Sequence, residues 1–147
     1  MKTLHVLYDD DCGFCSRCRK WLAMQPKYVR LEFLPYRSPQ VARRFPGLAL
    51  ADDLIVVGDD GRVWRGAKAW IMCLYALRLY RTWSFRLARP GLLPLARQTF
   101  DIVSHNRREL SRLLELRSDA ELRARIEMRS VRACALKPPV ARPASAS

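Results

Sequence analysis

The stretch Tyr8-Asp9-Asp10-Asp11-Cys12-Gly13-Phe14-Cys15-Ser16-Arg17-Cys18 constrains this chain more than any other. It sets a Cys-x-x-Cys pair where an apolar run, Leu4-His5-Val6-Leu7-Tyr8, gives way to a helical pattern. A helix start directs free N–H groups and the positive end of its dipole at the first side chains, so a thiolate there is stabilised. The thiolate is the form that attacks disulfides. Cys12 is expected to sit exposed at the mouth of the turn. Cys15, three residues on, is expected on the same helical face within disulfide reach. The reading that follows is a dithiol–disulfide site in which Cys12 attacks and Cys15 resolves.

Other uses of these cysteines fit less well. Two structural cysteines beside Asp and Gly at a strand–helix junction are not a usual core pattern. A zinc site needs four ligands, commonly as two pairs; Cys73 and Cys134 stand alone, and neither His5 nor His105 belongs to a paired motif. Cys18 extends the run to Cys-x-x-Cys-x-x-Cys, as in an iron–sulfur protein, but no fourth cysteine follows at short spacing. No metal and no cofactor is therefore expected.

At 147 residues, half of them hydrophobic, the chain is long enough for one domain with a core that needs no disulfide staples. Met1-Lys2-Thr3 leads straight into a strand with no secretory apolar region, and the longest helical apolar stretch, 69–80, is too short to span a bilayer. The expected location is the cytoplasm, where a Cys-x-x-Cys is more often catalytic or metal-binding than structural. The net charge of +13 is concentrated toward the C-terminus: residues 1–77 hold 12 basic and 8 acidic side chains, residues 78–132 hold 13 and 6. Charge of this kind suits nucleic acid, anionic lipid or an acidic protein. The simpler account is arginines dispersed over solvated helix faces, and no nucleic-acid reading motif is present.

Taken in order, Leu4–Tyr8 reads as a buried central strand and residues to Met24 as a helix closed by Gln25-Pro26. Val29–Leu34 alternates as a second strand. Ser38-Pro39 opens a short helix that ends before Pro46-Gly47. Leu54–Val57 is a third strand, Gly58-Asp59-Asp60-Gly61 a hairpin turn and Arg62–Arg65 a fourth strand. Gly66 leads into a long helix carrying Ala67, Trp70, Ile71, Cys73, Leu74 and Leu77. After Arg89-Pro90-Gly91, one or two helices are expected from Leu92 to about Leu116. Ser118-Asp119-Ala120-Glu121 has the form of a capping box for a last helix. The expected class is α/β: a thioredoxin-like β-α-β-α-β-β-α core with a four-stranded mixed sheet (1–81), a helical extension packed on it (82–130) and a disordered tail (131–147). The first two strands should be parallel neighbours joined by a right-handed crossover.

Four pieces resemble the DCC family of thiol–disulfide oxidoreductases, named for its Asp-Cys-x-x-Cys element. They are Leu7-Tyr8-Asp9-Asp10-Asp11-Cys12-Gly13-Phe14-Cys15, the hairpin Asp60-Gly61-Arg62-Val63, Gly66-Ala67-Lys68-Ala69-Trp70, and Phe100-Asp101 through Asn106-Arg107. The resemblance spans residues 4–115 and implies a thioredoxin-like fold and redox activity. Two departures stand out. Asp10 replaces the family's usual glycine, and Asp is one of the few side chains tolerated if a left-handed backbone is needed there. Ala51-Asp52-Asp53 stands where thioredoxins carry a cis-proline facing their cysteines.

Asp9, Asp10 and Asp11 raise a neighbouring thiol's pKa, whereas the helix start with Arg17, Arg19 and Lys20 lowers it. Asp11 is expected to act as proton acceptor or shuttle for Cys15, and also to cap the helix. The leading expectation is an enzyme, a dithiol–disulfide oxidoreductase acting on a disulfide-containing protein or a small thiol compound and drawing on an external reductant. The alternative is a thioredoxin-like module that senses redox state or binds a partner through its basic helical surface, without turnover. Cys18 is expected to pack on the apolar face with Trp21 and Leu22 rather than to serve as a second resolving thiol.

Overall fold

The computed structural model describes residues 1–49 and 54–135, with side chains described through 128. Its elements run β1 (Thr3–Tyr8), α1 (Gly13–Met24), β2 (Arg30–Pro35), α2 (Pro39–Arg44), β3 (Ile55–Gly58), β4 (Val63–Arg65), α3 (Ala67–Ala76), α4 (Arg81–Leu87), α5 (Leu93–Leu113) and α6 (Asp119–Ala135). The four strands form one sheet in the order β2-β1-β3-β4. β1 runs parallel to β2 and antiparallel to β3, and β3 is antiparallel to β4. That is the mixed sheet of a thioredoxin-like core, with α4, α5 and α6 added after it.

Alternation along the strands divides the core. Successive side chains of a strand point to opposite faces. Leu4 and Val6 of β1 and Val56 of β3 therefore pack with Leu22 of α1 and Ala69, Cys73 and Ala76 of α3. Leu7, Leu34, Ile55 and Val57 take the other face, against Val41 of α2. β1 is buried along nearly its whole length because neighbours pair on both sides and helices cover both faces. The hairpin forms at the expected turn: Gly61 adopts φ 80°, its N–H donates to the Gly58 carbonyl at 3.0 Å, and the Asp60 carboxylate accepts the Arg62 N–H.

Several boundaries differ from expectation, each for a non-local reason. α3 stops at Ala76 although the apolar pattern continues, because the chain from Pro26 to Tyr28 competes for its last backbone groups. Leu77 forms a bridge with Lys27, the Tyr28 N–H donates to the Ala76 carbonyl, and Arg78 donates to Pro26. The stretch from Leu93 to Leu113 is a single helix, and the short helix α4 precedes it. α6 continues to Ala135, past the point where a tail was expected to begin; residues 136–147 lie outside the described residues. Asp10 does not occupy the left-handed region. Among the described residues only Glu115 does so without being glycine, at φ 48°. No described helix is long and apolar enough to cross a membrane.

Glu115 closes α5. Its N–H donates to Arg112 and the Leu116 N–H donates to Ser111, the paired bonds of a Schellman turn. Ser118 and Glu121 then form the expected capping box: the Ser118 hydroxyl accepts the Glu121 N–H at 3.1 Å and the Glu121 carboxylate accepts the Ser118 N–H. Between them these two motifs turn the chain back across the start of α1.

Candidate functional site

The dithiol sits at the junction the sequence indicated, on a tighter helix start than expected. Cys12, not Asp11, is the N-cap of α1, with extended backbone (φ −95°, ψ 115°). Its sulfur accepts the Cys15 N–H at 3.3 Å and its carbonyl accepts the Ser16 N–H. The cap is thus the cysteine expected to attack, and capping brings its sulfur onto the positive end of the helix. Asp11 turns away: its carboxylate pairs with Arg37 after β2 and is half-exposed.

Cys12 is also not at an open mouth. The residue is only 5% exposed. The Schellman turn lays Leu116 over Gly13, where a Cβ would collide with the Leu116 carbonyl oxygen, so only glycine fits directly after Cys12. Ser111 of α5 reaches the same point. Its hydroxyl accepts the Phe14 N–H at 2.9 Å, donates to the Arg107 carbonyl at 2.7 Å and lies 3.9 Å from the Cys12 sulfur.

The three aspartates are each paired with an arginine, so they weigh less on the Cys12 thiolate than their sequence suggests. Asp9 faces Arg107 of α5 at 3.6 Å, Asp10 faces Arg123 of α6 at 3.2 Å, and Asp11 faces Arg37. The Asp10 carbonyl also accepts the Ala120 N–H, so the position where the family usually has glycine anchors α6. Two of the three cations expected to favour the thiolate are occupied elsewhere. Arg19 and Lys20 converge on Asp119 at 2.8 and 3.6 Å. Asp119 is buried, its carboxylate accepts the Tyr8 hydroxyl, and its N–H donates to the Ser16 hydroxyl oxygen. Burial and this carboxylate push the Tyr8 hydroxyl's pKa up.

The result is a split pair. The Cys15 thiol, hydrogen-bonded to Cys12, lowers the Cys12 pKa to about 6 against the cost of burial; the Cys15 N–H, Ser111 and Arg107 add to this. The same hydrogen bond, then burial and the Cys12 charge, raise the Cys15 pKa far above the ordinary thiol range. Arg107 opposes that rise and Asp9 adds to it. Cys18 is pushed to about 11, chiefly by burial. Cys12, Cys15, Cys18 and Cys73 are all free thiols, and Cys73 is fully buried within the core.

Beside Cys15 and Cys18 lies an apolar cavity of about 60 Å³, whose walls include Tyr8, Phe14, Trp70, Phe100 and Arg107. Three of the four sequence pieces that resemble the DCC family thus meet on one cavity; the fourth is the β3–β4 hairpin. Gly66, at φ 58°, belongs to the same arrangement, since a Cβ there would touch the Phe100 ring at 3.5 Å. The side chains that sequence reasoning did not place around the dithiol are Arg107, Ser111 and Asp119, and Asp9 was read only as one of three repelling charges. Arg107 stands in a piece already singled out, and Ser111 follows it by one helical turn, on the same face of α5. Among the described residues no group of three His, Cys, Asp or Glu is arranged to hold a metal ion. Ala51, Asp52 and Asp53, in the position of the thioredoxin cis-proline, lie outside the described residues.

A dithiol capping the first helix of a β2-β1-β3-β4 mixed sheet defines a thioredoxin-like protein of the thiol–disulfide class. The chain belongs to the DCC1-like thiol-disulfide oxidoreductase family, whose model matches residues 6–113. That match takes in β1 through α5 and both cysteines. No curated protein and no solved structure matches the chain.

Proposed function

We propose that this protein is an enzyme that reduces or forms disulfides through Cys12 and Cys15. In the reducing direction the Cys12 thiolate attacks a substrate disulfide, forming a mixed disulfide and releasing one substrate thiolate. Cys15 then loses its proton and attacks the Cys12 sulfur, releasing the second substrate thiolate and leaving a Cys12–Cys15 disulfide. Two electrons pass to the substrate, and an external reductant returns the dithiol. A cytoplasmic setting, as expected from the sequence, would supply one.

The observation that carries this reading is the division of labour within the pair. Cys12 takes the helix-capping position and is held as thiolate near neutral pH, while Cys15 keeps its proton until a mixed disulfide removes the Cys12 charge. Loss of that charge removes the largest influence holding the Cys15 proton, its hydrogen bond to the Cys12 thiolate, together with the repulsion between the two sulfurs; burial remains, and the resolving thiol becomes more competent after the first step. A base must still take the proton. Both Asp9 and Asp11 face an arginine, and Asp9 suits this role better than the expected Asp11 because its charge acts on Cys15.

One observation favours the second reading, a redox-sensing or binding module: Cys12 lies beneath the α5–α6 turn. Turnover separates the two. Catalytic reduction of a model disulfide by the wild-type protein with an external thiol reductant, lost in Cys12→Ser, supports the enzyme. Equal inertness of both proteins removes it.

A further inference from the structure

We infer that the α4 region is a docking surface for an anionic phospholipid membrane. Between Asp60 and Asp101 the chain has no acidic residue, and its later half carries Arg78, Arg81, Arg86, Arg89 and Arg97. The same segment exposes large apolar side chains: Leu79, Trp83, Phe85, Leu92 and Leu95. Single exposed apolar residues are ordinary, but a run of them interleaved with arginines in a stretch without acidic residues is not.

α4 itself fixes the arrangement. Ser84 is buried and donates to the Arg81 carbonyl, so its side of the helix faces the protein. At about 100° per residue, Trp83 and Phe85 then fall on the two flanks of the helix, with Arg86 pointing outward between them. Both rings are more than half exposed. Arg86 stacks over the Trp83 ring at 5.3 Å, and Phe85 meets Tyr75 edge-on at 5.7 Å. Arg81 and Arg78 stack over Tyr28, and Arg81 also over Tyr75. An apolar groove of about 280 Å³ lies between α3 and α5, and its walls include Leu87, Leu92 and Leu95.

Aromatic rings with apolar bodies and arginines with long stems suit the boundary between headgroups and acyl chains, where the ring enters and the guanidinium meets phosphate. The exposed leucines favour lipid over nucleic acid. Bases stack on aromatic rings, but aliphatic side chains gain little from them, whereas acyl chains bury both. With no described helix able to cross a bilayer, attachment of this kind is peripheral.

The test is co-sedimentation with phosphatidylcholine vesicles, with and without phosphatidylglycerol, across a salt series. Wild-type protein should bind the anionic vesicles at least tenfold better than the neutral ones, and more weakly as salt rises. Each arginine at such a surface contributes about fivefold in partitioning, so Arg86→Glu/Arg89→Glu should lose well over tenfold. Trp83→Ala/Phe85→Ala should also lose binding, and the vesicle-induced shift in tryptophan fluorescence should vanish with Trp83. Cys12→Ser should bind as wild type does, which separates this surface from the dithiol chemistry. These side chains are exposed, and unchanged thermal unfolding of the variants would show that the fold is kept. Absent binding, or binding indifferent to both double variants, overturns the inference. Binding to single-stranded RNA in preference to vesicles, dependent on the arginines and not on Trp83 and Phe85, overturns it in favour of nucleic acid.

Discussion

Replacing Ser111 by alanine tests how α5 controls the reactive thiol. Ser111 has a single hydroxyl proton, and in the structure it is given to the Arg107 carbonyl at 2.7 Å while the oxygen accepts the Phe14 N–H. With Cys12 ionised, the proton can turn to the sulfur 3.9 Å away. A hydrogen bond to a charged group contributes about 1.5–3 kcal/mol, and giving up the bond to Arg107 costs about 1 kcal/mol. The difference runs from about 0.5 to 2 kcal/mol, and the long contact places the net in its lower half, about 1 kcal/mol, equivalent to about 0.7 of a pH unit. Ser111→Ala should therefore raise the Cys12 titration midpoint from about 6 toward about 7. The assay is ultraviolet thiolate absorbance of the reduced protein against pH, taken as a difference from Cys12→Ser so that only Cys12 contributes. The same linkage has a sign in stability. Cys12 titrates lower when folded than its ordinary value of 9.0, so its contribution is present above pH 9 and is lost as pH falls through about 6. Over that window the reduced wild type should gain stability relative to Cys12→Ser as pH rises. A midpoint in Ser111→Ala that stays put or moves down would refute the reasoning and leave the helix start and Cys15 as sufficient cause.

Gly13→Ala should force the Leu116 carbonyl off the start of α1 and cost about 1–3 kcal/mol, read as a lower denaturant midpoint; an unchanged midpoint would mean that the α5–α6 turn does not press on the site. Asp9→Asn should slow resolution of the mixed disulfide in stopped-flow measurements, whereas Asp11→Asn should leave it within about twofold, a difference of under about 0.5 kcal/mol in barrier; the reverse ranking would return the acceptor role to Asp11. Cys18→Ala should keep most disulfide-exchange activity, because that thiol is pushed to about 11 and supplies little thiolate at neutral pH; loss of activity comparable to that of Cys12→Ser would assign it a chemical role.

Much of the framework was legible because its causes are local. The buried run Leu4–Tyr8, the Gly58–Gly61 turn and the Ser118–Glu121 capping box each follow from a few adjacent residues, and each forms as expected. Parallel pairing of β1 and β2 followed from the helix between them. The electrostatics of the site were not legible, because they come from partners distant in sequence. Ser111 lies 99 residues from Cys12, and Asp119 lies 100 residues from Arg19. Three adjacent aspartates read as repulsion until Arg107, Arg123 and Arg37 arrive from three separate segments. The same return of the chain buries Cys12, which the position of a cysteine at a turn could not disclose. α3 ends early for a related reason: the backbone after α1 takes its last carbonyl.

The most direct test of the central claim is to trap the intermediate. Cys15→Ser protein, reduced and then exposed to a model disulfide, should accumulate one mixed disulfide that peptide mapping by mass spectrometry places on Cys12, while oxidised wild type should show Cys12 bridged to Cys15. An adduct chiefly on Cys18, or a dominant Cys15–Cys18 bridge in the wild type, would contradict the assignment of Cys12 as nucleophile and Cys15 as resolving thiol.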